Sequence, residues 1–228
     1  MHICFFDIDG TLVLTGGAGQ TAFAQTLAAE FGIPEIDTRV AFAGRSDRAI
    51  AMDLFRSHGL EPSAENWQRF CLGYLARLEK TLATHQGLVL PGVSELLTTL
   101  RARGDVAIGL LTGNIREGAR RKLGHYGLWN WFAFGGFGDE HVERCDIAAV
   151  ALVAAKTHLN GRSHRPLSGQ ILVIGDTPHD IVCGRSIGAR CIAVPSGHTT
   201  SEVLRRAEPD VLVATLENIP PILALLDG

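Results

Sequence analysis

Phe5-Phe6-Asp7-Ile8-Asp9-Gly10-Thr11-Leu12 decides how the rest of the chain is read. An apolar run passes directly into two carboxylates. Side chains two apart in a strand point to one side, so Asp7 and Asp9 converge while Ile8 faces away. Gly10 lets the chain turn sharply after them. In an open α/β sheet, ligands bind outside the carboxyl ends of the strands, where this pair stands. Two neighbouring anions are costly there unless a proton or a cation compensates them. Mg²⁺ suits the position, being a hard ion that takes carboxylates, waters and phosphate oxygens. Read in isolation, the same residues also fit an Asp-x-Asp-Gly turn that merely closes a strand.

Working outward, short apolar runs alternate with helical patterns. Strands are expected at residues 3–6, 106–111, 132–134, 171–174, 191–194 and 211–213. None shows polar alternation, as befits parallel strands buried on both faces. Helices are expected near residues 93–103, 115–126, 147–159, 180–187 and 201–207. The alternation predicts an α/β fold with a doubly wound, three-layer parallel sheet and right-handed crossovers. Between the first strand and Pro91 no strand is evident. Helical patterns at 21–31, 47–57 and 64–82 fill that interval, broken at Gly32-Ile33-Pro34 and Gly59-Leu60-Glu61-Pro62. The expected organisation is a core of residues 1–14 and 90–228 with a small helical domain of residues 15–89 inserted. Residues 161–168 read as a polar surface loop.

Composition narrows the classes. The 228 residues are 46% hydrophobic and 20% charged, which argues against a disordered chain. Lys plus Arg is 21 against 24 Asp plus Glu, so no basic footprint for nucleic acid is present. No apolar run approaches the ~20 residues of a membrane helix, and Met1 to Phe6 lacks the basic start of a signal peptide. A cytoplasmic monomer or homodimer is the expectation. Five widely spaced cysteines without CxxC read as buried small hydrophobes in a reducing compartment, and nine histidines without HxH or HxxxH disfavour zinc. Trp67, Trp129 and Trp131 read as packing residues.

Two further strands end in suitable groups. Gly109-Leu110-Leu111-Thr112-Gly113-Asn114 ends in a hydroxyl able to donate to an anion, and the following amides can point at phosphate. Asn114 could instead cap the next helix. Ile171-Leu172-Val173-Ile174-Gly175-Asp176-Thr177-Pro178-His179-Asp180 again ends in acid. Pro178 suits a first helical turn, and Asp180 could simply favour the helix dipole. Asp176, directly after the strand, has no such structural reason. Three strand ends suited to one metal–phosphate site make coincidence improbable.

Taken together, Asp7-Ile8-Asp9-Gly10-Thr11-Leu12, Leu110-Leu111-Thr112-Gly113-Asn114 and Gly175-Asp176-Thr177-Pro178-His179-Asp180 resemble the haloacid dehalogenase superfamily in its phosphatase branch, and phosphoglycolate phosphatases within it. The resemblance spans the chain, including the helical insertion, which is similar to that family's cap. It implies a Mg²⁺-dependent phosphatase acting on a small phosphorylated metabolite. Asp7 would be the nucleophile that forms an aspartyl-phosphate, and Asp9 the general acid and then base. Asp7, Asp176 and the backbone carbonyl of Asp9 would hold the metal, with Asp180 in support. Thr112 and the amides of Gly113 and Asn114 would hold the phosphoryl oxygens. The family also uses one cation beside the nucleophile, usually a Lys followed by Pro, which this chain lacks. Arg144, in Glu143-Arg144-Cys145-Asp146, and Lys156 are the two candidates, with Arg144 preferred because the acidic Asp146 follows it and some relatives of the family use Arg in such a setting; its planar fork also stays charged.

The cap should set specificity. Arg45, in Ala43-Gly44-Arg45-Ser46-Asp47-Arg48, could contact an anionic substrate tail, or the stretch could be a helix start capped by Ser46. Thr15-Gly16-Gly17-Ala18-Gly19 lacks the spacing of a nucleotide loop and reads as a hinge to the cap. His179, beside Asp176 and Asp180, fits either a phosphate contact or a helix surface. A phosphomutase shares the aspartyl-phosphate chemistry and is the nearest alternative. A dehalogenase would need neither Asp9 nor Asp176, and a non-catalytic scaffold would have no use for the set.

Overall fold

The computed structural model describes residues 1–162 and 169–227. Six strands form one parallel sheet: β1 (His2–Phe6), β4 (Val106–Leu111), β5 (Gly135–Gly136), β6 (Ile171–Gly175), β7 (Arg190–Ala193) and β8 (Val211–Leu212). Their spatial order is β5-β4-β1-β6-β7-β8, so the winding reverses on either side of β1. β1 lies between its two partners in register, with Phe6 opposite Leu110 of β4 and Ile174 of β6. This is the doubly wound arrangement whose crevice opens beyond the strand ends at the reversal.

Alternate residues of β1 enter different cores. Cys4 and Phe6 pack with α4 (Val93–Arg103), α5 (Arg116–His125) and α9 (Pro220–Asp227). Ile3 and Phe5 pack with α6 (Arg144–Arg162) and α7 (Pro178–Ser186). A strand covered on both faces needs apolar residues at every position, which explains the missing alternation. A short α8 (Ser201–Arg206) adds Leu204 against Cys191 and Ala193 at one end of the sheet.

The interval after β1 holds α1 (Ala18–Phe31), α2 (Asp47–Ser57) and α3 (Ala64–Thr84). They bury a separate cluster in which Phe70 meets Phe23, Phe55, Trp67 and Tyr74 ring to ring. Each such buried aromatic contributes roughly 1.5–3 kcal/mol by area alone.

Four expectations need correction. The interval before Pro91 does contain strands: β2 (Val13–Leu14) pairs antiparallel with β3 (Leu88–Val89). Two residues per strand give no periodicity to read, yet they bring the two connections to the helical insertion together. Gly16 is left-handed there, and a Cβ on it would collide with the carbonyl of Gln86. The strand expected at 132–134 begins at Gly135, because close approach to β4 and α6 requires glycine: a Cβ at Gly136 would strike the carbonyl of Ile147. Phe132 and Phe134 instead fill the two cores, edge-on to Phe6 and Phe5. Of the loop expected at 161–168, the first two residues continue α6, and 163–168 lie outside the described residues. The helix α9, whose apolar residues close one core, was not anticipated.

All five cysteines are free thiols; Cys4, Cys183 and Cys191 are buried, whereas Cys71 and Cys145 are only partly so. Trp67 sits in the helical cluster and Trp129 and Trp131 rest on the sheet core. Among the described residues, no helix is long and apolar enough to cross a membrane.

Candidate active site

Asp7, Thr112 and Asp176 each follow the last residue of adjacent strands β1, β4 and β6. The parallel register therefore sets three polar side chains side by side at the reversal point. All three are buried. Ile8 turns away into the sheet core, leaving Asp7 and Asp9 on the site side. The Asp7 amide extends the ladder by donating to the carbonyl of Ile174 at 3.0 Å. Gly10 then turns the chain with φ +84°, and its carbonyl accepts from Ser196 Oγ at 2.6 Å.

Arg144, the first residue of α6, reaches into this crevice and is 7% exposed. Its Nη2 donates to Asp7 Oδ1 at 3.4 Å, to the Leu111 carbonyl at 3.5 Å, and closely to Asp180 Oδ1. Burial works against its charge, but Asp180 and Asp7 hold its pKa above the ordinary arginine value. Lys156, by contrast, is exposed on the same helix. Asp180 is fixed by a reciprocal cap on α7, its Oδ2 accepting from Thr177 N at 2.9 Å and Thr177 Oγ1 at 2.6 Å.

The carboxylates outnumber the cations. Asp7, Asp176 and Asp180 each bring an oxygen within 4.8 Å of the others. Burial first, then Asp180, raises the Asp7 pKa to about 7 against the pull of Arg144. Burial and the charges of Asp180, Asp7 and Asp9 raise that of Asp176 to about 9. Asp176 Oδ1 is buried without a partner. A hard dication meets each of these conditions: it would neutralise the excess charge and occupy the orphaned oxygen. The residues present therefore fit Mg²⁺.

Thr112 Oγ1 accepts from Asn114 N at 3.3 Å and from Asn114 Nδ2 at 3.0 Å, which leaves the hydroxyl proton to donate elsewhere. Asn114 does not cap α5; the cap position is Ile115, and the Asn114 amide turns to Thr112 and to Asp9 Oδ2 at 2.8 Å. Asp9 Oδ2 also accepts from Lys122 Nζ at 2.6 Å.

Two residues at this site carry no motif. Lys122 is 4% exposed on α5, sharing the buried face of Gly118, Ala119 and Leu123. A lysine on an apolar stripe is the one signal that could have marked it. Asp47, the first residue of α2, is buried and accepts from the Ile115 amide at 2.9 Å, while its own amide donates to the Gly113 carbonyl at 2.7 Å. Burial raises its pKa to about 6 against the nearby Lys122. Ser46 caps α2 as expected, and its hydroxyl donates to the Val142 carbonyl at 2.7 Å.

Arg45 is occupied otherwise than expected, donating to Asp53 Oδ2 at 2.6 Å. It still lines a cavity of about 250 Å³ with Gly44, Arg144 and His179. His179 is the second residue of α7, and Gly44 is packed so closely on its ring that a Cβ there would overlap Thr177 and His179.

A family model described as haloacid dehalogenase-like hydrolase matches residues 4–194. A phosphoglycolate phosphatase of Synechococcus elongatus is 30% identical over 94% of this chain and 93% of its own. An N-acetylmuramic acid 6-phosphate phosphatase of Pseudomonas putida is 30% identical over 89% of this chain and 86% of its own. The structure of CbbY from Rhodobacter sphaeroides, in complex with phosphate, superimposes with a TM-score of 0.75 over 100% of this chain and 99% of that one, at 20% identity.

Proposed function

The chain belongs to the haloacid dehalogenase-like hydrolase family, and we propose that it is a Mg²⁺-dependent phosphatase of a small phosphorylated metabolite, similar to phosphoglycolate phosphatases. One observation carries the reading: three adjacent strand ends present Asp7, Thr112 and Asp176 together, with Arg144 donating to Asp7.

In this reading Asp7 attacks phosphorus. A bond forms between its carboxylate oxygen and phosphorus as the ester P–O bond breaks. Asp9 gives its proton to the departing oxygen, so the leaving group departs as an alcohol. Asp9 then takes a proton from water, which attacks phosphorus and breaks the bond to Asp7. Inorganic phosphate leaves, with Asp7 restored as a carboxylate and Asp9 as the protonated acid. Splitting one displacement into two in this way suits a carboxylate nucleophile. Thr112 and the amides of Gly113 and Asn114 hold the phosphoryl oxygens. Arg144 offsets the charge that Asp7 and the phosphoryl group bring together, and Asp180 holds Arg144 in place. Mg²⁺ held by Asp7, Asp176 and the Asp9 carbonyl would neutralise phosphoryl charge. Residues 15–89 act as a cap over a core of residues 1–14 and 90–228, excluding bulk water and selecting the substrate.

The test is phosphate release from a panel of phosphomonoesters, with Mg²⁺ and with chelator, beside Asp7→Asn. Release that needs Mg²⁺ and vanishes in a folded Asp7→Asn protein is the expected result. Turnover retained by Asp7→Asn would remove Asp7 as the nucleophile, and transfer to a sugar without free phosphate would point to a mutase.

A further inference from the structure

Lys122 is unused by the mechanism above, yet it is among the most enclosed charges in the protein. Lysine is almost never fully buried unless it is paired. Here the ammonium of Lys122 pairs with Asp9 Oδ2 at 2.6 Å, and Asn114 Nδ2 reaches the same oxygen at 2.8 Å. Two donors converging on one oxygen fix the rotation of the Asp9 carboxyl group. Among the described residues no donor reaches Oδ1, which is thereby the oxygen left to face a substrate.

The surroundings hold Lys122 in that direction. Its stem shares the buried face of α5 with Leu123, and the Asp47 carboxylate lies close enough to support its charge. From the helical insertion, Gly19 and Tyr74 close over it. A Cβ at Gly19 would sit 3.4 Å from Lys122 Nζ and 3.9 Å from Tyr74 Oη, ordinary contact distances, so α1 packs directly against the ammonium.

From these contacts we propose that Lys122 is a positioning residue: it orients Asp9 so that Oδ1 meets the ester oxygen. The proposal rests on the reading of Asp9 as proton donor and acceptor. In the step concerned, the ester P–O bond breaks and the Asp9 proton passes to the departing oxygen. Lys122 makes and breaks no covalent bond and keeps its three protons.

Leaving-group dependence separates positioning from mere structure. An alkyl phosphate needs a proton on its departing oxygen, whereas p-nitrophenyl phosphate releases a stable phenolate without one. Folding of each variant is checked by circular dichroism, and Lys122→Gln replaces Lys122→Met if the latter does not fold. Lys122→Met is expected to lower kcat/KM, which counts the steps up to departure of the leaving group and not the aspartyl-phosphate hydrolysis that both esters share, about 100-fold on the alkyl ester, the scale of general acid catalysis, and less than about tenfold on the aryl ester. Asp9→Asn, measured alongside, should show the same bias toward the alkyl ester. An equal loss of kcat/KM on both esters would overturn the role of Lys122 while a biased Asp9→Asn left the reading of Asp9 standing. An unbiased Asp9→Asn would overturn both.

Discussion

A Cβ added at Gly197 or at Gly10 would overlap Asp176 Oδ2, so two backbone segments hold that carboxylate by lacking side chains. Gly10 is doubly constrained, since its φ of +84° is one that L side chains rarely adopt. Gly197 therefore offers the cleaner probe. Gly197→Ala must displace the Asp176 carboxylate by the width of a methyl group. The expected outcome is phosphatase activity reduced at least about tenfold and a higher Mg²⁺ concentration for half-activation, with the circular dichroism spectrum unchanged, because small misplacements at a reacting centre cost large factors. A Gly197→Ala enzyme with unaltered Mg²⁺ dependence would show that the cradle does not hold the metal-facing residue. The same scale explains why Arg144, and not Lys156, stands beside Asp7. The first residue of α6 points into the crevice, whereas a residue three turns along the helix has left it.

Among the elements, α2 couples the helical insertion to the sheet. Its first turn docks on the loop after β4 through both the amide and the carboxylate of Asp47, and Arg48 donates to the Asp139 carbonyl at 2.9 Å. Asp47 ionises only with difficulty, its pKa raised to about 6 by burial. The folded state thus keeps a proton that the unfolded chain releases near pH 4. Stability accordingly falls as pH rises from about 4 to about 6, and the loss persists above that. Asp47→Asn keeps an acceptor for the Ile115 amide but cannot ionise. Relative to the native protein it should gain about 2–3 kcal/mol between pH 4.5 and pH 7.5, read from urea unfolding at both values. A difference that does not change with pH would mean that Asp47 ionises in the folded state without penalty.

At the scale of the whole molecule, the charge balance of the crevice dominates. Three buried carboxylates share the environment of one arginine, so without a cation the folded protein relieves their repulsion by holding protons, as the raised pKa of Asp176 shows. A cation that binds this arrangement and not the unfolded chain stabilises by mass action, about 2.7 kcal/mol at one hundred times its Kd. For a chain of this length each kcal/mol moves Tm by roughly 2–4 °C, so saturating Mg²⁺ should raise Tm by roughly 5–10 °C over chelator. Asp176→Asn should abolish most of that increment. Equal melting temperatures with Mg²⁺ and with chelator would sink the metal assignment.

Much of this was legible locally. Apolar runs ending in Asp7, Thr112 and Asp176 are contiguous stretches, and burial on both faces of a parallel sheet writes itself as unbroken hydrophobicity. The three helices between β2 and β3 were equally readable, from the breaks at Gly32 and Gly59. The paired connections at β2 and β3 were not, because strands of two residues have no period. Nor, Arg144 apart, was the destination of the long side chains. Arg45 turned to Asp53, Asn114 left its helix for Asp9, and Lys122 reached Asp9 across 113 positions of sequence. Patterning determined by itself which residues line the strand ends, since that depends only on neighbours in the chain. Which cation meets which carboxylate was decided by the tertiary structure alone, because it depends on the separations and burial that arise when distant helices converge on one crevice.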